Sequence, residues 1–348
     1  MTLQDFRSYP RLELVLEPGV VLVSGPNGAG KTNLLEALHV GTQGFSPRAR
    51  SDAQLIRFGA DAGRITLGGL NGDRRFAADV VLHAQEARRA RLNGDILRSA
   101  EQMRHELQTL VFTPDRLAVV KGGPAPRRAY LDRTLGRLFP AKATLSVEYA
   151  AVVGQRNAAL RRLAAGLSSR AALDPWTEAV ASLGAELVDA RRAALGALEG
   201  PFATLADRLG LASATASYEG ESPTAAELDG RLDRDVERGA TGAGPHLHDI
   251  ALRSGGRDLR SFGSQGEQRI AVLALVLAEA EALSRQSAAR PLVLLDDVLS
   301  ELDDERRRSL AEIVAVGGQT MVTTTSARAL PAEPAQHLVV SAGEVRVT

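Results

Sequence analysis

Gly25-Pro26-Asn27-Gly28-Ala29-Gly30-Lys31-Thr32 is the stretch from which the rest of this chain is read. It follows the apolar run Val20-Val21-Leu22-Val23 and opens Asn33-Leu34-Leu35-Glu36-Ala37-Leu38, a run of good helix formers. Strand, glycine loop and helix in this order fit G-x-x-x-x-G-K-S/T, the phosphate-binding loop. Glycines let backbone N–H groups curl around phosphate oxygens with no Cβ in the way. The helix N-terminus adds donors and a partial positive charge. Lys31 is expected to reach the outer phosphates, and the Thr32 hydroxyl to ligate Mg²⁺. The chain uses arginine almost everywhere and has lysine only at positions 31, 121 and 142, yet the loop position that needs lysine has it.

The bulk composition narrows the classes. With 348 residues, the chain has room for one large or two ordinary domains, and 44% apolar residues suffice for a sizeable core. Without cysteine there is no disulfide framework and no thiolate metal site. The six histidines do not cluster at metal-ligand spacing. No signal peptide is evident and no apolar run approaches the ~20 residues of a membrane span. A soluble, cytoplasmic protein without a membrane partner is the expectation. Formal net charge is zero, so any nucleic-acid binding must come from local basic patches.

In chain order, Arg11–Leu16 alternates as a half-buried strand does, and only Met1–Asp5 remain for a strand before Phe6. Arg64–Leu67 and Phe76–Leu82 read as strands around turns at Gly68-Gly69 and Asn71-Gly72, with a further hairpin at Asn93-Gly94. A short helix over Ala100–Thr109 leads to a buried strand, Leu110–Phe112. Residues 113–240 then change character. Helices are expected over Ala141–Ala165, from Asp174 with Pro175 at its first position towards Gly200-Pro201, from Phe202 to Leu209, and over Pro223–Arg238. The arginine runs here (Arg127, Arg128, Arg133, Arg137; Arg156, Arg161, Arg162, Arg170) read as solvated helix faces, with DNA contact as the alternative. Residues 241–348 return to α/β, with strands at Leu292–Leu295 and Met321–Thr324 and a closing hairpin over 338–347. A helical lobe (113–240) thus interrupts an α/β domain made of 1–112 and 241–348.

Leu292–Leu295 ends in Asp296-Asp297, an apolar strand closed by an acidic pair in the Walker B manner. Asp296 is expected to hold Mg²⁺ through water, and Asp297 to orient or deprotonate the attacking water. Upstream lies Ser264-Gln265-Gly266-Glu267-Gln268, where Ser264 and Glu267 have the spacing of a helix capping box. The same stretch resembles the ABC signature, in which Ser and Gly at a helix N-terminus grip a γ-phosphate. A cap with outward-facing donors serves both readings. Val298-Leu299-Ser300-Glu301-Leu302-Asp303 resembles the D-loop that follows Walker B in ABC ATPases. That resemblance implies a head-to-head homodimer on ATP, with Ser264–Gln268 and Asp303 of one subunit completing the other's nucleotide site.

Leu3-Gln4-Asp5-Phe6-Arg7-Ser8-Tyr9 looks like the entry segment of SMC-type ATPases, which lies near the nucleotide. With Lys31–Ala37, Phe112–Asp115, Val120–Gly122, Arg127–Asp132, Gly244–His246, Phe262–Arg269 and Leu295–Asp303, the chain resembles the RecF family along nearly its whole length. The resemblance implies an ABC/SMC-like ATPase head with a short inserted helical arm. It implies ATP and Mg²⁺ as cofactors, with Arg7, Ser8, the loop Gly25–Thr32 and Asn33 around the nucleotide. It further implies a weak, DNA-stimulated ATPase of DNA repair and the SOS response. Such a protein binds double-stranded DNA and gap junctions, and helps RecO and RecR load RecA. The chain departs from the pattern in places. The family begins with a few more residues in the first strand. Thr324 stands where ABC transporters carry a histidine that senses the γ-phosphate. No glutamine marks the Q-loop, and Asp115 falls in that region. An ATP-binding subunit of another ABC system is the competing reading.

Overall fold

The computed structural model describes residues 1–287 and 289–348. Its strands are β1 (Thr2–Phe6), β2 (Tyr9–Glu13), β3 (Val20–Ser24), β4 (Ala62–Asn71), β5 (Arg74–His83), β6 (Arg89–Leu92), β7 (Asp95–Ile96), β8 (Thr109–Phe112), β9 (Ala214–Glu219), β10 (Asp249–Ser254), β11 (Arg257–Asp258), β12 (Leu292–Leu295), β13 (Thr320–Thr324), β14 (Gln336–Ser341) and β15 (Glu344–Val347). The chain divides into two compact units. One comprises Met1–Arg116, Arg208–Gly210 and Val272–Thr348; the other comprises Leu117–Asp207 and Leu211–Ala271. The second unit therefore runs past residue 240 and takes in Ser264–Gln268.

The first unit holds two six-stranded sheets. In one, ordered β15-β14-β3-β13-β12-β8, every pair from β14 to β8 is parallel and β15 closes the edge antiparallel. Inner strands β3 and β13 and edge strand β8 are buried at every position, which is why they carry no charged residue. The other sheet, β2-β1-β4-β5-β6-β7, is antiparallel throughout. Helix Lys31–Gln43 packs on both. Its Leu34, Leu35, Ala37, Leu38 and Val40 share one core with Ile65 and Val80 of the antiparallel sheet and Val21, Val111, Leu294 and Met321 of the parallel one. Burying such side chains stabilises by roughly 1.5–3 kcal/mol apiece for the large ones, enough to hold the loop before the helix in place.

Two local expectations shift. β2 covers Tyr9–Glu13, not Arg11–Leu16, because Phe6 pairs with Tyr9 across a two-residue turn and so sets the register. Gly68-Gly69 is no turn: β4 continues through it to Asn71, opposite Ala77 and Phe76. The Phe76 ring lies over Gly69, where a Cβ would stand 3.0 Å from Phe76 Cε1, and this aromatic cover holds the glycine pair in the strand. The Asn93-Gly94 hairpin forms, joining β6 to β7.

In the second unit, helix Asp174–Arg208 runs straight through Gly200-Pro201, where two helices were expected. A mid-helix proline costs an intrahelical hydrogen bond. Here Leu198, Pro201, Phe202 and Leu205 are all buried, and packing outweighs that cost. β9 lies within the lobe expected to be helical, between its expected helices, and pairs along its whole length with β10 in a three-stranded antiparallel sheet. The arginine runs are not all solvated faces. Arg156 is fully buried and paired with Asp235. Arg127 is buried against Asp249 with two bonds of 2.7 Å. Outside those runs, Arg191 grips Asp132 at 2.7 and 2.9 Å.

The same unit holds His246 between the Tyr149 hydroxyl at Nδ1 (2.9 Å) and the Thr241 carbonyl at Nε2 (3.0 Å). A carbonyl only accepts, so Nε2 carries the proton and Nδ1 accepts from Tyr149. Burial holds His246 below its ordinary pKa; the Thr241 carbonyl opposes this, and Arg128 and Arg191 add to it. His248 is lowered as well, by burial and then by Arg191. The unfolded chain therefore binds more protons than the folded one just below the free histidine value of about 6.5, and stability, complete above that pH, is lost as pH falls through it. Urea midpoints between pH 7.5 and 5.5 should decline, and decline less in His246→Gln. Equal declines in the two proteins would contradict this assignment.

Among the described residues, no helix is long and apolar enough to cross a membrane.

Candidate nucleotide site

The glycine loop leaves β3 at Ser24 and enters helix Lys31–Gln43 with Gly30 as N-cap. Gly25 has φ 155°, and a Cβ there would lie 2.2 Å from the Val340 carbonyl oxygen of β14. Gly30 has φ 114°, and a Cβ there would lie 2.8 Å from Ser8 Oγ. Only glycine fits either place, so the loop backbone can lie against its neighbours with its N–H groups directed elsewhere. The Tyr9 hydroxyl donates to the Gly30 carbonyl (3.0 Å), and Gly343, in the β14–β15 turn, donates its N–H to the Ala29 carbonyl (3.2 Å). Two hairpin turns thus grip the loop.

Lys31 is buried and donates to the carbonyls of Gly25 (2.8 Å) and Pro26 (2.9 Å). Burial lowers its pKa, against the pull of Asp297 and Asp296. Thr32 Oγ1 donates to Asp296 Oδ1 at 2.9 Å across 264 residues of sequence. Asp296 sits where β12 ends, its N–H bonded to the Phe112 carbonyl (3.0 Å). Asp297 follows at φ 49°, with its N–H on Thr323 Oγ1 (2.9 Å). One of its carboxylate oxygens, Oδ1, is buried with no hydrogen-bond partner among the described residues. The loop, Thr32, Asp296 and Asp297 are therefore brought together at the carboxyl ends of parallel strands β3, β12 and β13, the edge where open α/β sheets take ligands.

The remaining expected residues lie as follows. Asn33 Nδ2 donates to Ser8 Oγ (3.0 Å), placing both beside Gly30. Arg7 is taken up by Glu36, through two bonds of 2.9 Å. Thr324 is buried at the end of β13, opposite Ser24, and its hydroxyl exchanges long bonds of 3.3 Å with the Ser326 backbone. Asp303 caps helix Asp304–Ala315, accepting from the Arg306 N–H (2.9 Å) and pairing with its guanidinium (3.0 Å). Asp115 is exposed on a turn after β8. In the second unit, Ser264 and Glu267 form both bonds of the capping box: Ser264 N–H to Glu267 Oε2 (2.7 Å) and Glu267 N–H to Ser264 Oγ (3.3 Å). Ser264 and Gln265 are exposed, and a Cβ on Gly266 would meet nothing nearer than 4.0 Å. Gln268 turns inward instead, holding the Leu259 carbonyl at 2.8 Å.

Thr323, which the sequence reading passed over, does more than Thr324 at the acidic pair. Its hydroxyl donates to Asp296 Oδ1 (2.7 Å) and accepts from the Asp297 N–H. Period-two alternation along β13 would have shown that Thr323 and Thr324 cannot face the same side, but not which of them meets the acidic pair. Tyr9 and Glu36 were missed as well. Each is a polar residue buried among apolar ones, and nothing local marks its partner.

Residues 1–342 match the RecF/RecN/SMC N terminal domain family. The chain is 38% identical to the DNA replication and repair protein RecF of Frankia alni, over 99% of this chain and 98% of that protein. A solved RecF-ATP structure, described as the recombination mediator protein of the RecFOR pathway, superposes with TM-score 0.85 at 25% identity, covering 100% of this chain and 96% of that one. The Smc head domain from Pyrococcus furiosus shares the fold, with TM-score 0.61 at 18% identity over 100% of this chain and 94% of that one. Phosphate loop, acidic strand end and full-length similarity agree: the chain belongs to the RecF family of SMC-like ABC ATPases.

Proposed function

We propose that this protein is an ATP-switched DNA clamp of recombinational repair. It binds ATP with Mg²⁺, closes as a homodimer on double-stranded DNA at gaps and single/double-strand junctions, and opens after slow hydrolysis. Together with RecO and RecR it assists loading of RecA. The names carried by its relatives support the repair role, and the ATP-bound neighbour supports the ligand. The observation that carries the reading is the convergence of Thr32 and Asp296 oxygens, 2.9 Å apart, beside the glycine cradle.

Hard oxygen donors suit Mg²⁺, and a site that takes most of its ligands from phosphate and water needs few from protein. The orphaned Asp297 Oδ1 fits the same picture as an acceptor awaiting a water. Thr32 would hold the ion directly and Asp296 through water. When bound, the ion neutralises charge on the phosphate oxygens. Lys31 exchanges its two loop carbonyls for the β- and γ-phosphates. Asp297, a shorter arm than glutamate, orients the attacking water. Thr324 can hydrogen-bond a γ-phosphate but cannot shuttle a proton as imidazole does, and slow turnover follows. In the dimer, Ser264, Gly266 and Asp303 complete the partner subunit's site.

Light scattering tests this. Wild type should form dimers with ATP, and more firmly with gapped DNA. Lys31→Met and Ser264→Arg should remain monomers. Dimers that form equally without nucleotide would refute the switch. DNA affinity should fall steeply with salt, because backbone contacts dominate.

A further inference from the structure

We infer that Glu36 is a positioning residue of the nucleotide site, acting through Arg7 on the turn that covers Gly30; this presupposes that Gly25–Thr32 binds ATP as proposed above. Glu36 lies one helical turn beyond Thr32, and its carboxylate is 1% exposed. A buried carboxylate persists only when it is paired and hydrogen-bonded, and here all its partners come from outside its own helix. Arg7 donates to both oxygens, Nε to Oε2 and a terminal nitrogen to Oε1, each at 2.9 Å. Ser46 Oγ donates at 2.5 Å, and Arg48 stands 3.9 Å away. The fork geometry fixes the guanidinium in orientation as well as in place.

What Arg7 gains from this is its backbone. It occupies the two-residue turn between β1 and β2 at φ 52°, a conformation L-residues avoid and glycine adopts freely. A residue in that state persists when its surroundings over-determine it. The Arg7 N–H is bonded to the Leu55 carbonyl (2.8 Å), and its side chain is clamped by Glu36. The next two residues are the ones that touch the loop. Ser8 Oγ accepts from Asn33 and would meet any Cβ on Gly30 at 2.8 Å; Tyr9 donates to the Gly30 carbonyl. Glu36 therefore sets, two links away, the turn that holds the last glycine before Lys31. Because both ends of this relay are attached to one helix, Glu36 also keeps the turn in register with Lys31 and Thr32.

The test uses the full-length protein. ATP affinity by calorimetric titration, steady-state turnover and thermal melting are measured on wild type, Glu36→Gln, Arg7→Gln and the double variant. Either single change should weaken ATP binding by about tenfold, as loss of a supporting partner does at other ligand sites. The double variant should be no worse than the singles, because both act on one link. KM should rise with kcat nearly kept, since Lys31 and Asp297 are not touched. Should Glu36→Gln fail to fold, Glu36→Asp keeps the charge but withdraws it by one methylene, and a smaller rise in KM is expected. Unchanged ATP affinity with a lowered melting temperature would overturn the inference, leaving Glu36 a stability residue. Additive losses would also overturn it, making Arg7 a direct phosphate ligand. Failure of wild type to bind ATP would instead sink the proposed function, so the two failures are told apart.

Discussion

Lys31→Met is expected to cut phosphate release from ATP by roughly 10²–10³-fold, the cost of removing one charge-stabilising donor from a phosphoryl-transfer site. The substitution should do this without unfolding the protein. Lys31 is buried with its pKa lowered by that burial, and it donates to the carbonyls of Gly25 and Pro26. Its ammonium is thus partly desolvated in the folded chain, and an apolar side chain of similar length removes that penalty. The thermal midpoint should stay the same or rise while turnover collapses. That opposition separates a catalytic role from a structural one, and near-normal turnover in the variant would refute the phosphate role of the lysine. Asp296 and Asp297 both lose a neighbouring positive charge in the same experiment, which makes the site more negative, so any residual turnover should not need more Mg²⁺.

The largest stability loss is expected at Arg156, far from the glycine loop in sequence. Its side chain is 0% exposed and that of Asp235 is 1% exposed. One terminal nitrogen donates to Asp235 Oδ2 at 2.8 Å and Thr241 Oγ1 at 3.0 Å; Nε reaches Thr177 Oγ1 at 3.3 Å and the other nitrogen the Leu228 carbonyl at 3.4 Å. Asp235 also accepts from the Gly242 N–H at 3.1 Å. Arg156→Met leaves Asp235 buried without its partner, which costs about 3–5 kcal/mol, whereas replacing both members by apolar residues of similar volume is often neutral. Urea denaturation should therefore show a large fall in midpoint for Arg156→Met and a substantial recovery in Arg156→Met/Asp235→Leu. A solvated or DNA-facing arginine would show neither. A single variant within about 0.5 kcal/mol of wild type, the range of ordinary surface changes, would return Arg156 to that class.

These residues also mark how far a linear reading reaches. The glycine loop, the strand ending in Asp296-Asp297 and the capped start at Ser264 were all legible, because each is a local device. Glycine where φ must be positive, an apolar run for a strand buried on both faces and Ser-x-x-Glu for a cap are conditions a few neighbouring residues meet among themselves. The SMC-like α/β head was implied by the resemblance of nearly the whole chain to the RecF family rather than by any one device. The turn at Gly68-Gly69 and the break at Pro201 were misread for the converse reason: local propensity pointed one way, and packing by Phe76 and by a buried helix face decided the other.

What only the tertiary structure decided is which charged or hydroxyl group meets which. Thr32 and Asp296 are 264 residues apart, Arg156 and Asp235 are 79 apart, and Arg7 and Glu36 are 29 apart. Thr323 rather than Thr324 serves the acidic pair because β13 lies beside β12 and successive side chains alternate between faces, so that only the Thr323 hydroxyl is turned to Asp296. In sequence, Arg7, Arg156 and Arg161 look alike; in the fold one supports a strained turn, one is buried, and one reaches an exposed carbonyl. The sequence alone determined that this chain carries a phosphate-binding head, since backbone conformation is set mostly within a turn or a strand. The partners of its buried charges were settled only by folding, since the cost of burying a charge depends on what lies beside it in space.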